Sequence, residues 1–365
     1  MKKQVIYIVS VFLIFAFTPV SLFSQGCEDV GDEEGVQVKG YIQPQYSYFM
    51  NGKDSEGNSL DENSFNFNRA RLGVVGNIPY DISYYFFVEV SPFKGTSPAA
   101  SAHLLDAFIT YTRFGKYAKI SIGQFKAPIS LEQNTPCHAL TTIYRSDVVD
   151  QLAGPQRDLG LMILGGNDTT FLRYSIAVMH GAGKGIYDNN KGKDIVGRLL
   201  IHPIEPLTIG GSFRTGQRNP TDLNERQNDI LRIAGEFKFE LKGFVLQGEY
   251  IYGQDKLYST SRIPIYGGCG GIIGFETKQP GTYTKGGYWI MASYKTSWNL
   301  EPVLKYDTYD PDMDLGNDWY SNFTVGLNYF LNDWTRIQLN YIRKMEAAAI
   351  ATNNDLIVFQ IQVKF

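Results

Sequence analysis

From residue 36 to the last residue the chain repeats one pattern, in which segments of about ten residues alternate apolar and polar side chains between turn residues. In the final segment Ile357, Phe359, Ile361, Val363 and Phe365 share one face, and Gln360, Gln362 and Lys364 the other. Ile82, Tyr84, Phe86, Val88 and Val90 repeat the same alternation, as do Phe323, Val325, Leu327 and Tyr329. A period of two puts successive side chains on opposite faces of a strand, and no helical stretch of comparable strength competes with it. The chain is therefore expected to be all-β, with about sixteen strands.

The connections sharpen that expectation. Short turns at 77–81, 115–117, 166–168, 202–205, 242–243, 297–299 and 332–333 alternate with longer connections at 50–64, 91–102, 126–156, 182–191, 218–225, 254–283, 310–317 and 346–352. Strands that cross a membrane in pairs require this, with short periplasmic turns and long external loops; a soluble β-sandwich does not. The expected fold is thus a transmembrane antiparallel β-barrel over 36–365. The longest connection, 126–156, has a helical turn expected within 143–152. A loop of that length in a compact fold is usually functional, and here it is expected to fold inward and constrict the barrel. The connection 254–283 carries the glycine tract Gly267-Gly268-Cys269-Gly270-Gly271, read as a flexible loop. Cys137 and Cys269 lie in these two loops, where a disulfide would pin one to the other; spacing alone does not decide it.

The amino terminus reads as a targeting segment. Lys2 and Lys3 precede an apolar run from Val5 to Phe17, and small residues lead to Gln25, so 1–24 are expected to be a cleavable signal peptide. Residues 25–35 form an acidic, flexible lead-in. Cys27 resembles a lipidated cysteine, but Ser24 stands three places before it, where that signal normally has leucine. With 24 Tyr and 23 Phe, the aromatic content suits a wall that meets lipid headgroups at two interfaces. A net charge of -3 gives no support to a nucleic-acid partner. Outer-membrane lipid of a Gram-negative bacterium is the expected surrounding. The alternating last strand ending in Phe365 looks like the signal by which the barrel-assembly machinery recognises its clients.

If the apolar phase faces lipid, the other phase lines the interior. That phase holds Arg69, Arg71, Lys119, Arg173, Arg198, Arg214, Arg232, Lys305 and Arg336 among its cations, against Glu89, Asp106, Glu236, Glu249, Glu301 and Asp307 among its acids. Lys126, His138 and Arg145 would add to it from an inward-folded loop. A surplus of cations in a tunnel favours small anionic solutes, because low-dielectric walls focus the potential. Pairing across neighbouring strands, with Arg69 and Arg71 against Glu89 and Asp106, is the competing reading. Sixteen strands leave an aqueous channel unless loops plug it, so a plugged accessory barrel stays open as an alternative. A barrel enzyme finds little support, since the four histidines lie in four segments and no serine sits in a nucleophile turn. The run Asp307 to Asp314 lacks the glycine and terminal glutamate of a calcium loop, so no metal and no cofactor are expected.

Several stretches carry a family resemblance. Phe65-Asn66-Phe67-Asn68-Arg69-Ala70-Arg71-Leu72-Gly73 is similar to a strand of the phosphate-selective porin O and P family. Asp106-Ala107-Phe108-Ile109-Thr110-Tyr111, followed by Ile122-Gly123-Gln124-Phe125-Lys126-Ala127-Pro128, resembles its most recognisable signature. Arg157-Asp158-Leu159-Gly160-Leu161 resembles the segment after its constricting loop. The resemblance implies a sixteen-stranded, homotrimeric passive channel with an inward-folded third loop. Arg69, Arg71, Lys126 and Arg157 match motif positions, but a full arginine ladder does not, and the family includes members whose solute is not phosphate.

Overall fold

The computed structural model describes residues 35–54, 56–91, 103–220, 222, 224–267, 271–348 and 351–365. The signal peptide, nearly all of the acidic lead-in, Cys27 and Cys269 fall outside them. Strands β1 (Gln37–Met50), β2 (Glu62–Ile78), β3 (Ile82–Glu89), β4 (His103–Tyr111), β5 (Lys119–Lys126), β6 (Arg157–Gly165), β7 (Leu172–Met179), β8 (Asp194–Ile204), β9 (Leu207–Arg218), β10 (Asn228–Leu241) and β11 (Phe244–Leu257) follow one another around a wall. It continues through β14 (Gly281–Tyr294), β15 (Leu300–Asp310), β16 (Tyr320–Phe330), β17 (Thr335–Glu346) and β18 (Asp355–Lys364). Every neighbour is antiparallel, and β18 pairs with β1 to close a barrel of sixteen strands. Closure removes the exposed sheet edge that lipid cannot satisfy.

The last residue takes part in that closure. Phe365 donates from its backbone nitrogen to Gly40 O at 2.9 Å and accepts from Gly40 N at 2.8 Å. Both ends of the wall therefore meet at the short-turn rim. Pro44 has no N–H to give the ladder, and the β1–β2 register shifts between Gln43 and Pro44.

The faces follow the alternation. Ile122 on one phase is 55% exposed, while Gln43 on the other is fully buried. Leu161, Ile176, Leu199, Ile233, Tyr288, Val325, Leu339 and Phe359 stand out from the wall with Ile122, forming the band that faces lipid. Gln338, Asn340, Asn328 and Gln360 turn inward and are buried.

Two loops hold structure of their own. Residues 127–156 contain α1 (Leu131–Asn134), a 3-10 turn (Cys137–Ala139) and α2 (Asp147–Leu152), the last inside the expected helical stretch. The 254–283 connection differs from the flexible loop expected there. Strand β11 runs on to Leu257, β14 begins at Gly281, and between them β12 (Ser261–Gly267) and β13 (Gly271–Lys278) form a separate two-stranded sheet. The two strands are short β-branched runs, one with Ile263 and Ile265, the other with Ile272 and Ile273, and residues 268–270 of the glycine tract lie outside the described residues.

Candidate permeation path

The 127–156 loop lies inside the barrel, held by polar anchors from many strands. Ser130 Oγ donates to Glu249 Oε2 at 2.8 Å, and Leu131 N to Glu249 Oε1 at 3.1 Å. Trp289 Nε1 adds a third donor to that carboxylate at 3.1 Å. Glu132 forms a buried ion pair with Lys305 and accepts from Ser146 N at 2.8 Å. Asn328 donates to Thr141 O, Asn340 accepts from Ile143 N, and Arg336 donates to His138 O. Anchors on β11, β15, β16 and β17 draw the loop toward one side of the lumen.

An apolar seam completes the attachment. Ile129, Val148, Val149, Leu152 and Ala153 of the loop are buried in one cluster with Ala234, Ile251, Trp289, Val303 and Tyr309 of the wall. These wall residues belong to the inward phase, which sequence reasoning treated as polar. The available signal was Trp289 and Val303 standing where neighbouring strands carry charged or amide side chains. A wetted lumen does not bury tryptophan; a lumen covered by a folded loop does.

The space the loop leaves runs past β2 to β8 and widens along β9, β10, β11 and β14. A cavity of about 20 Å³ is lined by Arg71, Asp106, Lys126, Arg157, Tyr85 and Phe87, with Pro136 and Cys137 on the loop side. A second, of about 30 Å³, shares Lys126 and adds Arg173 and Arg198. A third, of about 540 Å³, shares Asn134, Arg173 and Arg198 with the second and opens among the short turns at Glu205 and Pro206. Their shared lining residues place the three side by side, from beside the loop to the short-turn rim.

Five of the cations named from the sequence line the first two cavities: Arg71, Lys126, Arg157, Arg173 and Arg198. Four of them are held by carboxylates. Arg71 Nε meets Glu89 at 2.9 Å, Arg157 Nε meets Asp106 at 2.9 Å, Arg173 meets Asp168 at 2.8 Å, and Arg198 meets Glu236. Cross-strand neutralisation thus takes place, though Asp106 pairs with Arg157 instead of with Arg69 or Arg71. Glu89 lines none of these cavities, whereas its arginine does. Arg157 Nη1 is buried and has no hydrogen-bond acceptor among the described residues.

The remaining named cations stand elsewhere. Arg69 is buried against Gln43 at 2.9 Å, and Lys119 is half-buried at the periplasmic start of β5. Arg145 donates to the carbonyls of Glu132 and Thr135, so it braces the loop from within, and Arg336 braces it from the wall. Arg214 pairs with Asp194 at 2.6 Å and Arg232 with Asp255 at 2.7 Å, the two arginines standing on β9 and β10, four and five strands around the wall from Lys126. Cys137 Sγ lies 3.2 Å from Arg71 Nη1 and 3.4 Å from Arg145 Nη2.

One carboxyl group on the loop titrates in an unusual range. Burial inside the barrel pushes Asp150 from its ordinary 3.8 up to about 7, with Asp147 and Glu132 adding repulsion and Arg145 opposing them. The folded loop therefore favours the protonated form. Its stability contribution is full below about pH 4 and is lost as pH rises through about 7. Current noise from loop motion is expected to increase between pH 5 and pH 8, and Asp150→Asn is expected to abolish that increase. Equal pH dependence in the variant would show that another group is responsible.

The model of the family described as "Phosphate-selective porin O and P" matches residues 36–227 and 215–365. Among solved structures, an anion-selective porin from Comamonas acidovorans superposes with a TM-score of 0.66 at 14% identity, covering 91% of this chain and 100% of that one. OmpF of Salmonella typhi, in complex with daunomycin, gives 0.63 at 13% identity over 90% and 97%. A trimer form of OmpT, an outer-membrane protein of Vibrio cholerae, gives 0.61 at 8% identity over 91% and 99%. At these identities the structures share the fold. No curated protein sequence matches the chain.

Proposed function

Because this chain belongs to the phosphate-selective porin O and P family, and is an outer-membrane channel of a Gram-negative bacterium, we propose that it passes small anionic solutes by diffusion along the β2–β8 wall. The observation that carries this reading is the lining of the two narrow cavities. Arg71, Lys126, Arg157, Arg173 and Arg198 face them, against Asp106 as the acid. The orphan Nη1 of Arg157 supplies a donor that a passing anion would satisfy, since a buried N–H left unpaired costs about 1–3 kcal/mol. The 127–156 loop acts as the constriction, because its residues line all three cavities. Residues 1–24 act as the signal peptide. The alternating last strand and Phe365, which close the barrel, support recognition by the assembly machinery. Assembly as a homotrimer in outer-membrane lipid is supported by the trimer form of the Vibrio protein with this fold.

Single-channel recording of the refolded barrel in a planar bilayer under a salt gradient tests the reading. A reversal potential on the anion side is the expected result. Cation preference, or no conductance at all, would overturn it, the latter in favour of a plugged accessory barrel.

A further inference from the structure

A second cavity system lies on the opposite wall, toward the external loops. It occupies about 60 Å³ between the β12–β13 hairpin, α2 and strands β9, β10, β11 and β14. Taking roughly 10–15 Å³ for each water-sized sphere, it holds several waters or one small organic molecule. We propose that this cavity binds a small organic carboxylate with an apolar body.

The charge on its walls is unbalanced. Arg232 meets Asp255 Oδ1 at 2.7 Å and Lys285 meets Asp255 Oδ2 at 2.8 Å, so two cations share one carboxylate. All three are buried, Lys285 being 6% exposed and Asp255 2%. Arg218 also lines the cavity, but Asp194 holds it and Arg214 together, and Asp158 stands near Arg214. Glu276 on β13 and Asp312 share Lys278, at 3.4 and 3.8 Å, and none of these three lines the cavity. The triad therefore leaves one positive charge out of bulk water, and Arg262, on the exposed rim, adds a second. A buried net charge is unfavourable until an opposite charge joins it, which makes the cavity an acceptor for an anion.

The other walls select for an apolar body. Ile230, Leu257 and Tyr309 are buried wall residues, and Pro264 and Tyr266 close the cavity from the hairpin. An inorganic anion would leave these surfaces facing a charge it cannot share, whereas an organic carboxylate covers them. The hairpin is held in place from the loop. Gln151 Nε2 donates to Tyr266 O, and Gln151 Oε1 accepts from Tyr266 N at 3.3 Å. Gly154 lets the Tyr266 ring lie against the backbone, since a Cβ there would sit 2.7 Å from it. This site shares no lining residue with the cavities beside Lys126, so it stands independently of the channel's ion preference.

Calorimetric titration of the refolded, full-length barrel with isophthalate, and separately with sulfate, tests the site. Saturable isophthalate binding is expected, weakened about tenfold or more by Lys285→Met, which leaves Arg232 and Asp255 as a neutral pair. Asp255→Asn is expected to tighten it, because it adds net positive charge; a purely structural role for Asp255 predicts weakening instead. Gly154→Ala, which alters no charge, is expected to weaken binding by displacing the hairpin. Circular dichroism confirms the fold of each variant. Absence of saturable binding, equal affinity in Lys285→Met, or sulfate bound as tightly as isophthalate would each overturn the proposal.

Discussion

Exchanging Lys126 and Arg173 for glutamate is expected to turn an anion-preferring channel into a cation-preferring one. Both side chains line the narrow part of the route, Lys126 where the first cavity meets the second and Arg173 where the second meets the widest. The double change alters the local charge by about four units. At a separation of about 5 Å and an effective dielectric constant near 20, each unit changes the energy of a passing monovalent ion by roughly 3 kcal/mol. Screening in about 0.1 M salt reduces this, but the roughly 10 Å Debye length there exceeds the separation of about 5 Å. A permeability ratio shifted at least tenfold, about 1.4 kcal/mol, is a conservative expectation. The reversal potential of the variant, measured under the same salt gradient, should change sign. An unchanged potential would mean that ions do not pass these residues. Arg71 and Arg157 stand beside Lys126, so the new glutamate keeps cationic neighbours and the barrel is expected to fold.

Removing residues 129–153 and joining Pro128 to Gly154 by a short flexible linker is the second large perturbation. It takes away the loop anchored on β11, β15, β16 and β17, so single-channel conductance is expected to rise severalfold while ion preference weakens. The loop's apolar seam is lost with it. Burial of Ile129, Val148, Val149 and Leu152 is worth roughly 1.5–3 kcal/mol each, so the melting temperature is expected to drop. The polar anchors cost less, because Glu249 and Lys305 become hydrated once the lumen is open. Conductance equal to that of the intact channel would falsify the route beside the loop.

The two narrow cavities also explain why a count of lumen charges overstates the field. Arg71, Arg157, Arg173 and Arg198 each have a carboxylate partner, and only part of each guanidinium faces the route. The preference therefore depends on which group of a pair faces the cavity. The pairing is visible in the sequence only as neighbouring strands, such as Arg71 opposite Glu89 in the β2–β3 register. Arg157 and Asp106 sit on β6 and β4, separated by β5, so no strand neighbourhood announced them.

The period-two alternation determined the strands, their faces and their number, because a pleated backbone in lipid leaves one phase no choice but to be apolar. Ile357, Phe359 and Ile361 against Gln360 and Gln362 carry that information locally, and the chain's own turns carry the order of pairing. Tertiary structure alone decided the interior. An inward residue can face water, a folded loop or an ion partner, and the pleat imposes the same period on all three. Trp289 is buried because the loop's Val148 and Val149 cluster with it, and Lys305 is paired because Glu132, distant in sequence, folds back to it. The hairpin at 261–278 was hidden for a related reason. Its glycine tract reads as flexibility when taken alone, and only the contacts of Tyr266 on β12 with Gln151 and Gly154 give the hairpin a surface to rest on.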